Sequence, residues 1–224
     1  MNARRLTRYA VLGGVFVVLL CLSAGCLIRP SKQTSNLAYN LPTKITVPIG
    51  EVVPGTDIRY VSMSETGAHM MIRGQDALKR KGDSVDWKGT PRAGVFVDLK
   101  LRIVWHTEDE MHLVGTAKVT VEGADPVEGS ASTSSSISYG GPVVYNLSRG
   151  AHIPGTTATY EGETDDGAKL GGMEGYPYRK VGDSIYWEGS LRDGVSLRLD
   201  VRALQFDEKA LRVGGLASLW IEPS

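Results

Sequence analysis

The sequence predicts an all-β protein: two tandem copies of a small antiparallel β-barrel or β-sandwich domain behind an N-terminal signal segment. Three observations predict it. Apolar and polar residues alternate over long stretches, the second half of the chain repeats the first at a fixed offset of 100 residues, and the N-terminus carries a basic cluster followed by an uncharged apolar run.

Alternation with period two marks a strand with one buried face. Val95, Val97, Leu99, Leu101, Ile103 and Trp105 alternate with Phe96, Asp98, Lys100, Arg102 and Val104, and Val195, Leu197, Leu199, Val201 and Ala203 do the same in the second copy. A polar turn follows each (Thr107 to Glu110; Asp207 to Ala210). The return strands then place Met111, Leu113, Gly115, Ala117, Val119 and Val121 on one face, matched by Leu211, Val213, Gly215, Ala217, Leu219 and Ile221. Shorter alternating runs cover Thr56 to Val61 and Ser84 to Lys88. No helical stripe appears beyond the leader. Each copy therefore reads as an antiparallel meander of about five or six strands, with barrel and sandwich both open.

The repeat sets the domain count. Pro54-Gly55-Thr56 recurs as Pro154-Gly155-Thr156, and Gly82-Asp83-Ser84 as Gly182-Asp183-Ser184. Trp87, Gly89, Arg92, Gly94, Val95, Leu99, Arg102, Gly115, Ala117 and Glu122 match Trp187, Gly189, Arg192, Gly194, Val195, Leu199, Arg202, Gly215, Ala217 and Glu222. The register never slips between Gly50 and Glu122, so the domain is duplicated. The boundaries read as a signal segment over 1–25, a polar tether over 26–42, copy one over 43–123, a Ser/Gly-rich linker over 124–142 and copy two over 143–224. The linker's composition predicts a flexible tether. Of the shared residues, the tryptophans read as core centrepieces and the Gly-Asp pairs as tight turns. Gly115 and Gly215 read as room for the indoles or as a bend, and Arg102 and Arg202 as surface partners of Asp98 or Asp200.

The leader holds Arg4, Arg5 and Arg8, then twenty uncharged residues from Tyr9 to Ile28 that include Leu22-Ser23-Ala24-Gly25-Cys26. A basic n-region before an apolar core is the layout of an export signal, and small residues before a cysteine suit an extended substrate for a peptidase. Here the chain resembles bacterial membrane lipoproteins, whose leaders end in a Leu-small-small-Cys box. Leu22 stands four residues before Cys26, where that family has three. The resemblance implies lipidation (palmitate) at Cys26, an extracytoplasmic location at the cell membrane and an anchor of lipid. The alternative is an uncleaved signal helix, since twenty apolar residues span a bilayer. No family resemblance extends to the repeated domain.

Charge and cysteine content narrow the partners. The 25 basic residues equal the 25 acidic ones, and removal of Arg4, Arg5 and Arg8 with the leader leaves 22 against 25, a net charge of −3. Such a balance predicts no attraction to nucleic acid or to anionic headgroups. Cys21 would leave with the leader and Cys26 would carry lipid, so no disulfide is expected.

Catalytic signals are weak. Gly82-Asp83-Ser84 invites comparison with serine hydrolases, but no histidine follows His152 to act as base for Ser84 or Ser184. His69, His106 and His112 have no histidine counterparts in copy two, and the acidic run Glu161 to Gly167 lacks the spacing of a calcium loop. No metal, cofactor or catalytic residue is therefore expected. The most divergent stretch, 69–81 against 169–181, holds Tyr176 and Tyr178 beside three glycines, a candidate aromatic platform for a sugar or a peptide. The resulting expectation is a non-catalytic binding or structural lipoprotein of the cell envelope, with an envelope protein or glycan as partner. Carbohydrate or peptidoglycan binding through Tyr176 and Tyr178 is the alternative, and an envelope hydrolase the third reading.

Overall fold

The computed structural model describes residues 35–224. The leader, the Leu22–Cys26 box and the start of the tether lie outside the described residues. Every regular element among the described residues is a strand. Copy one contains β1 (Ser35–Pro48), β2 (Arg59–Ser64), β3 (Gly67–Ile72), β4 (Gln75–Lys79), β5 (Ser84–Arg92), β6 (Val95–His106) and β7 (Glu110–Ala124). A two-residue strand, β8 (Val127–Glu128), precedes copy two. That copy consists of β9 (Ile137–Ser148), β10 (Thr159–Thr164), β11 (Gly167–Gly171), β12 (Tyr178–Arg179), β13 (Ser184–Arg192), β14 (Val195–Phe206) and β15 (Ala210–Ile221).

In each copy the long meander forms one sheet and the short hairpins another. The orders are β1-β7-β6-β5 and β2-β3-β4 in copy one, β8-β13-β14-β15-β9 and β10-β11-β12 in copy two. No sheet closes on itself among the described residues, which favours sandwich over barrel. Alternation places Val95, Val97, Leu99, Leu101 and Ile103 in the core and leaves Phe96, Lys100 and Arg102 outside. Burying each such side chain contributes about 1.5–3 kcal/mol relative to leaving it in water. Tyr60 and Tyr160 cross from the small sheet to donate to the Thr107 and Asp207 carbonyls, which ties the two layers together.

Several details depart from the sequence reading. Strand β1 begins inside the stretch assigned to the tether, and β9 begins inside the linker, with Tyr39 and Tyr139 both buried. The equivalence at an offset of 100 thus extends back to Leu37 and Ile137. Residues 69–79, within the most divergent stretch, form the β3–β4 hairpin. Trp187 is fully buried as expected, but Trp87 is only half-buried. The indoles lie over Gly89 and Gly189, where a Cβ would strike the ring; a Cβ at Gly115 or Gly215 would strike the backbone of the neighbouring strand, at Lys100 and Asp200. Arg102 and Arg202 do not pair with Asp98 or Asp200. Each guanidinium donates to the turn carbonyl of Gly82 or Gly182, at 2.8 Å in both copies.

Candidate functional site

A subset of the residues shared by the copies serves the contact between them: the Pro-Gly-Thr turns, Arg92 and Arg192, Gly94 and Gly194, and Glu122 and Glu222. The Pro-Gly-Thr segments form tight turns: Thr56 Oγ1 donates to the Val53 carbonyl at 2.8 Å, and Thr156 repeats this with Ile153 at 2.9 Å. Gly55 takes a φ of +78° there, a conformation that glycine adopts without penalty. Each turn faces the first strand of the other copy. A Cβ at Gly55 would meet Ile137 Cδ1 at 2.8 Å, and one at Gly155 would meet the Tyr39 hydroxyl and Leu197. Tyr39 donates to the Pro154 carbonyl at 3.5 Å, and burial pushes its phenol far above its ordinary pKa.

Two arginines are exchanged across the same contact. Arg92 donates to the carbonyls of Asp193 (2.9 Å) and Glu222 (3.1 Å) and to the Asp193 carboxylate (2.5 Å). Arg192 donates to the carbonyls of Glu122 (2.6 Å) and Gly94 (3.5 Å). Gly94 and Gly194 leave the space: a Cβ on either would run into the opposite guanidinium. The two copies are therefore one clasped body with approximate twofold equivalence.

The segment between the copies breaks that equivalence. Val127 and Glu128 pair antiparallel with Ser190 and Gly189, which adds a strand to the edge of β13. Asp125 N–H donates to the Leu191 carbonyl and Gly129 N–H to the Glu188 carbonyl, at 2.8 and 3.0 Å. Beyond this edge the segment crosses the outer face of the sheet. Ala131 N–H reaches Glu188 Oε1 at 2.8 Å, Ser132 N–H reaches Ser196 Oγ at 3.1 Å, and Ser135 Oγ donates to the Ile221 carbonyl. Ser/Gly composition cannot drive burial, yet these bonds hold the chain, so a free tether is not what forms.

Glu188 organises the outer face of copy two. It accepts from Arg198 at 3.1 and 3.3 Å, from the Tyr186 hydroxyl and from Ala131 N–H, while Arg198 lies 5.3 Å from the centre of the Trp220 ring. The Arg198 bonds foremost, then those from Tyr186 and Ala131, lower its carboxyl pKa to about 2.

The matching face of copy one carries a groove of about 420 Å³ lined by Lys88, Gly89, Thr90, Phe96, Asp98 and Lys118, among others. Chain comparison adds no precedent: no family model, curated protein or solved structure matches this sequence. The ion pair is reversed relative to copy two, with Lys88 and Asp98 (2.9 Å) where that copy has Glu188 and Arg198. Phe96 replaces Ser196 and is 46% exposed, whereas Ser196 is buried beneath the crossing segment. Asp98 Oδ1 is buried without a hydrogen-bond partner among the described residues; Lys100 Nζ is 4.0 Å away. No described strand pairs with the outer edge of β5, where Ser224 N–H meets the Pro91 carbonyl at 3.2 Å and the edge from Lys88 to Thr90 is left without a partner strand. The sequence signal for this site is the change of charge and size at 88, 96, 98 and 118, beside the identical Trp87, Gly89, Val95, Leu99 and Ala117.

The residues singled out by sequence fall elsewhere. Tyr176 is 67% exposed and meets Tyr178 edge to face, with centroids 5.5 Å apart and planes at 64°, rather than as one flat platform. The Tyr176 and Tyr178 loop and the 69–79 hairpin belong to different small sheets. Ser84 and Ser184 begin β5 and β13 directly after Asp83- and Asp183-capped turns. His69 pairs with Asp76 (3.4 Å), and His112 bonds Glu110 (2.7 Å) while stacking on Trp105. Glu161 pairs with Lys169 at 2.8 Å. No group of three or more metal-ligating side chains converges among the described residues. Cys26 lies outside them.

Proposed function

We propose that this chain is an extracytoplasmic lipoprotein, tethered to the membrane through lipid on Cys26, that acts as a non-catalytic binding module of the cell envelope. The observation that carries the binding role is the inequality of the two copies: copy two is completed by the chain's own segment, and copy one presents the same face with Phe96 uncovered and its ion pair reversed. Support for the anchor comes from the basic n-region and the Leu22–Cys26 box. The clasp between copies supports a rigid display of this face, since contacts from both partners fix its position.

Two measurements test the reading. Alkyne-palmitate labelling of cells should mark the wild-type chain and leave Cys26→Ser unlabelled; labelling of both, or of neither, contradicts the lipid anchor. A photo-crosslinking residue at position 96 in intact cells should form a discrete adduct that the same residue at exposed position 104 does not. Equal yields at both positions, or none, contradict a binding role for this face.

A second reading places a glycan at Tyr176 and Tyr178, supported by the exposure of Tyr176 beside Gly175 and Pro177. Glycan pull-down with Tyr176→Ala and Tyr178→Ala decides it: loss of binding supports this reading, and unchanged binding removes it.

A further inference from the structure

The chain contains its own template for what copy one binds. In copy two an extended segment pairs with the β13 edge through Val127 and Glu128, turns at Gly129, and lays Ala131 and Ser132 over Glu188 and Ser196. The edge groups that receive Val127 to Gly129 are repeated in copy one, whereas the Pro91 carbonyl, counterpart of the Leu191 carbonyl that accepts Asp125 N–H, already accepts from Ser224 N–H at 3.2 Å. Because the Glu188 carbonyl faces this segment, the strand geometry points the Lys88 carbonyl and the Thr90 N–H outward at the β5 edge. Gly189 leaves room for the added strand, since a Cβ there would meet the Val127 carbonyl, and copy one has glycine at the same position, Gly89. An edge with unpaired donors and acceptors is a template for one more strand.

The differences between the copies state what the added strand must carry. Where Glu188 accepts Ala131 N–H, copy one offers the Lys88 ammonium, with Lys118 nearby and without an ion-pair partner among the described residues. A carboxylate fits there, and the template's Ala131 does not supply it. Where Ser196 accepts Ser132 N–H, copy one offers the exposed Phe96 ring, which an apolar side chain would cover. The buried Asp98 Oδ1 takes a donor, which a backbone N–H of the occupant provides.

We infer that the copy-one groove takes an extended peptide of a partner protein, added antiparallel to the β5 edge, with the pattern apolar-x-Gly-x-acidic-apolar. This rests on the binding role proposed above and adds to it the ligand class, the strand direction and the side-chain order. Affinity would come from edge hydrogen bonds, and selectivity from Lys88, Lys118 and Phe96.

The test uses the full-length chain in detergent and a fluorescent synthetic peptide of residues 126–135 carrying Ala131→Asp and Ser132→Leu; it omits Asp125, whose place at the β5 edge Ser224 already takes. Fluorescence anisotropy should show saturable binding, about tenfold tighter than for the unmodified 126–135 peptide. Phe96→Ser, which restores the residue of copy two, should weaken it about tenfold, and Lys88→Glu should weaken the Asp-bearing peptide more than an Asn-bearing one. Thr90→Pro, which removes the outward N–H from an edge strand that tolerates proline, should abolish it while the far-ultraviolet spectrum stays native. Equal affinity for both peptides, or binding insensitive to Phe96→Ser and Thr90→Pro, overturns the inference. If position 96 crosslinks in cells but the peptide shows no binding, the groove takes another kind of ligand: this inference fails and the binding role stands. If both fail, the binding role fails with it.

Discussion

Replacing Arg92 with alanine is the sharpest perturbation of the clasp. The side chain is 20% exposed and donates three hydrogen bonds into copy two. The bond to the Asp193 carboxylate counts for little, about 0–1 kcal/mol, because that carboxylate is 96% exposed and solvent screens the pair. The two carbonyl bonds come from a charged donor and contribute about 1–2 kcal/mol together after competition with water. Loss of the packed guanidinium over Gly194 adds to this. The sum is about 2–3 kcal/mol, or a fall in Tm of about 4–12 °C for a body of this size. Urea unfolding followed by tryptophan fluorescence measures it, with Lys44→Ala as an exposed control. Arg192→Ala should cost less, about 1–2 kcal/mol, since its Nε already lacks a hydrogen-bond partner among the described residues. An Arg92→Ala loss below about 0.5 kcal/mol, no larger than an ordinary surface substitution, would refute the clasp. So would two separate wild-type transitions, one per copy.

Two further outcomes follow from particular residues. Glu188 has its pKa lowered in the folded state, so its contribution is present above the unfolded carboxylate value and is lost as pH falls from about 4.5 towards about 2; Ala131 amide exchange should accelerate across that window, and Glu188→Gln should flatten the change. Gly215→Ala would drive a methyl group into the Asp200 carbonyl where β14 and β15 approach closely, and should destabilise the protein by about 3 kcal/mol or more in the same urea assay, against about 0.5 kcal/mol or less at the open Gly129.

The long strands were legible because one face of each is buried. In β6 and β7 the alternation of Val, Leu and Ile with charged residues reports burial directly. The first strands were not. Residues 35–42 and 137–142 mix Asn, Ser, Pro and Gly with the apolar residues, and their pattern was masked by the polar stretches leading into them. The Tyr39 and Tyr139 correspondence was the available signal. Arg92, Gly94 and Glu122 were visible as shared residues, but their use lies across the contact between copies, about a hundred residues away in sequence, where no local pattern reaches. The linker misled for a different reason. Its serines bury almost no apolar surface, so composition reads as flexible, whereas its order comes from backbone groups bonded to a neighbouring sheet edge. The candidate groove shares that cause: Phe96 against Ser196 and Lys88 against Glu188 gain meaning only once the path of residues 125–135 over copy two is known.

The central claim is that one face is completed in copy two and open in copy one. Amide hydrogen exchange at Ser190 and Thr90, equivalent positions at the edges of β13 and β5, tests it most directly. Strong protection at Ser190 together with near-unprotected exchange at Thr90 is the predicted result. Equal protection at the two amides would contradict it.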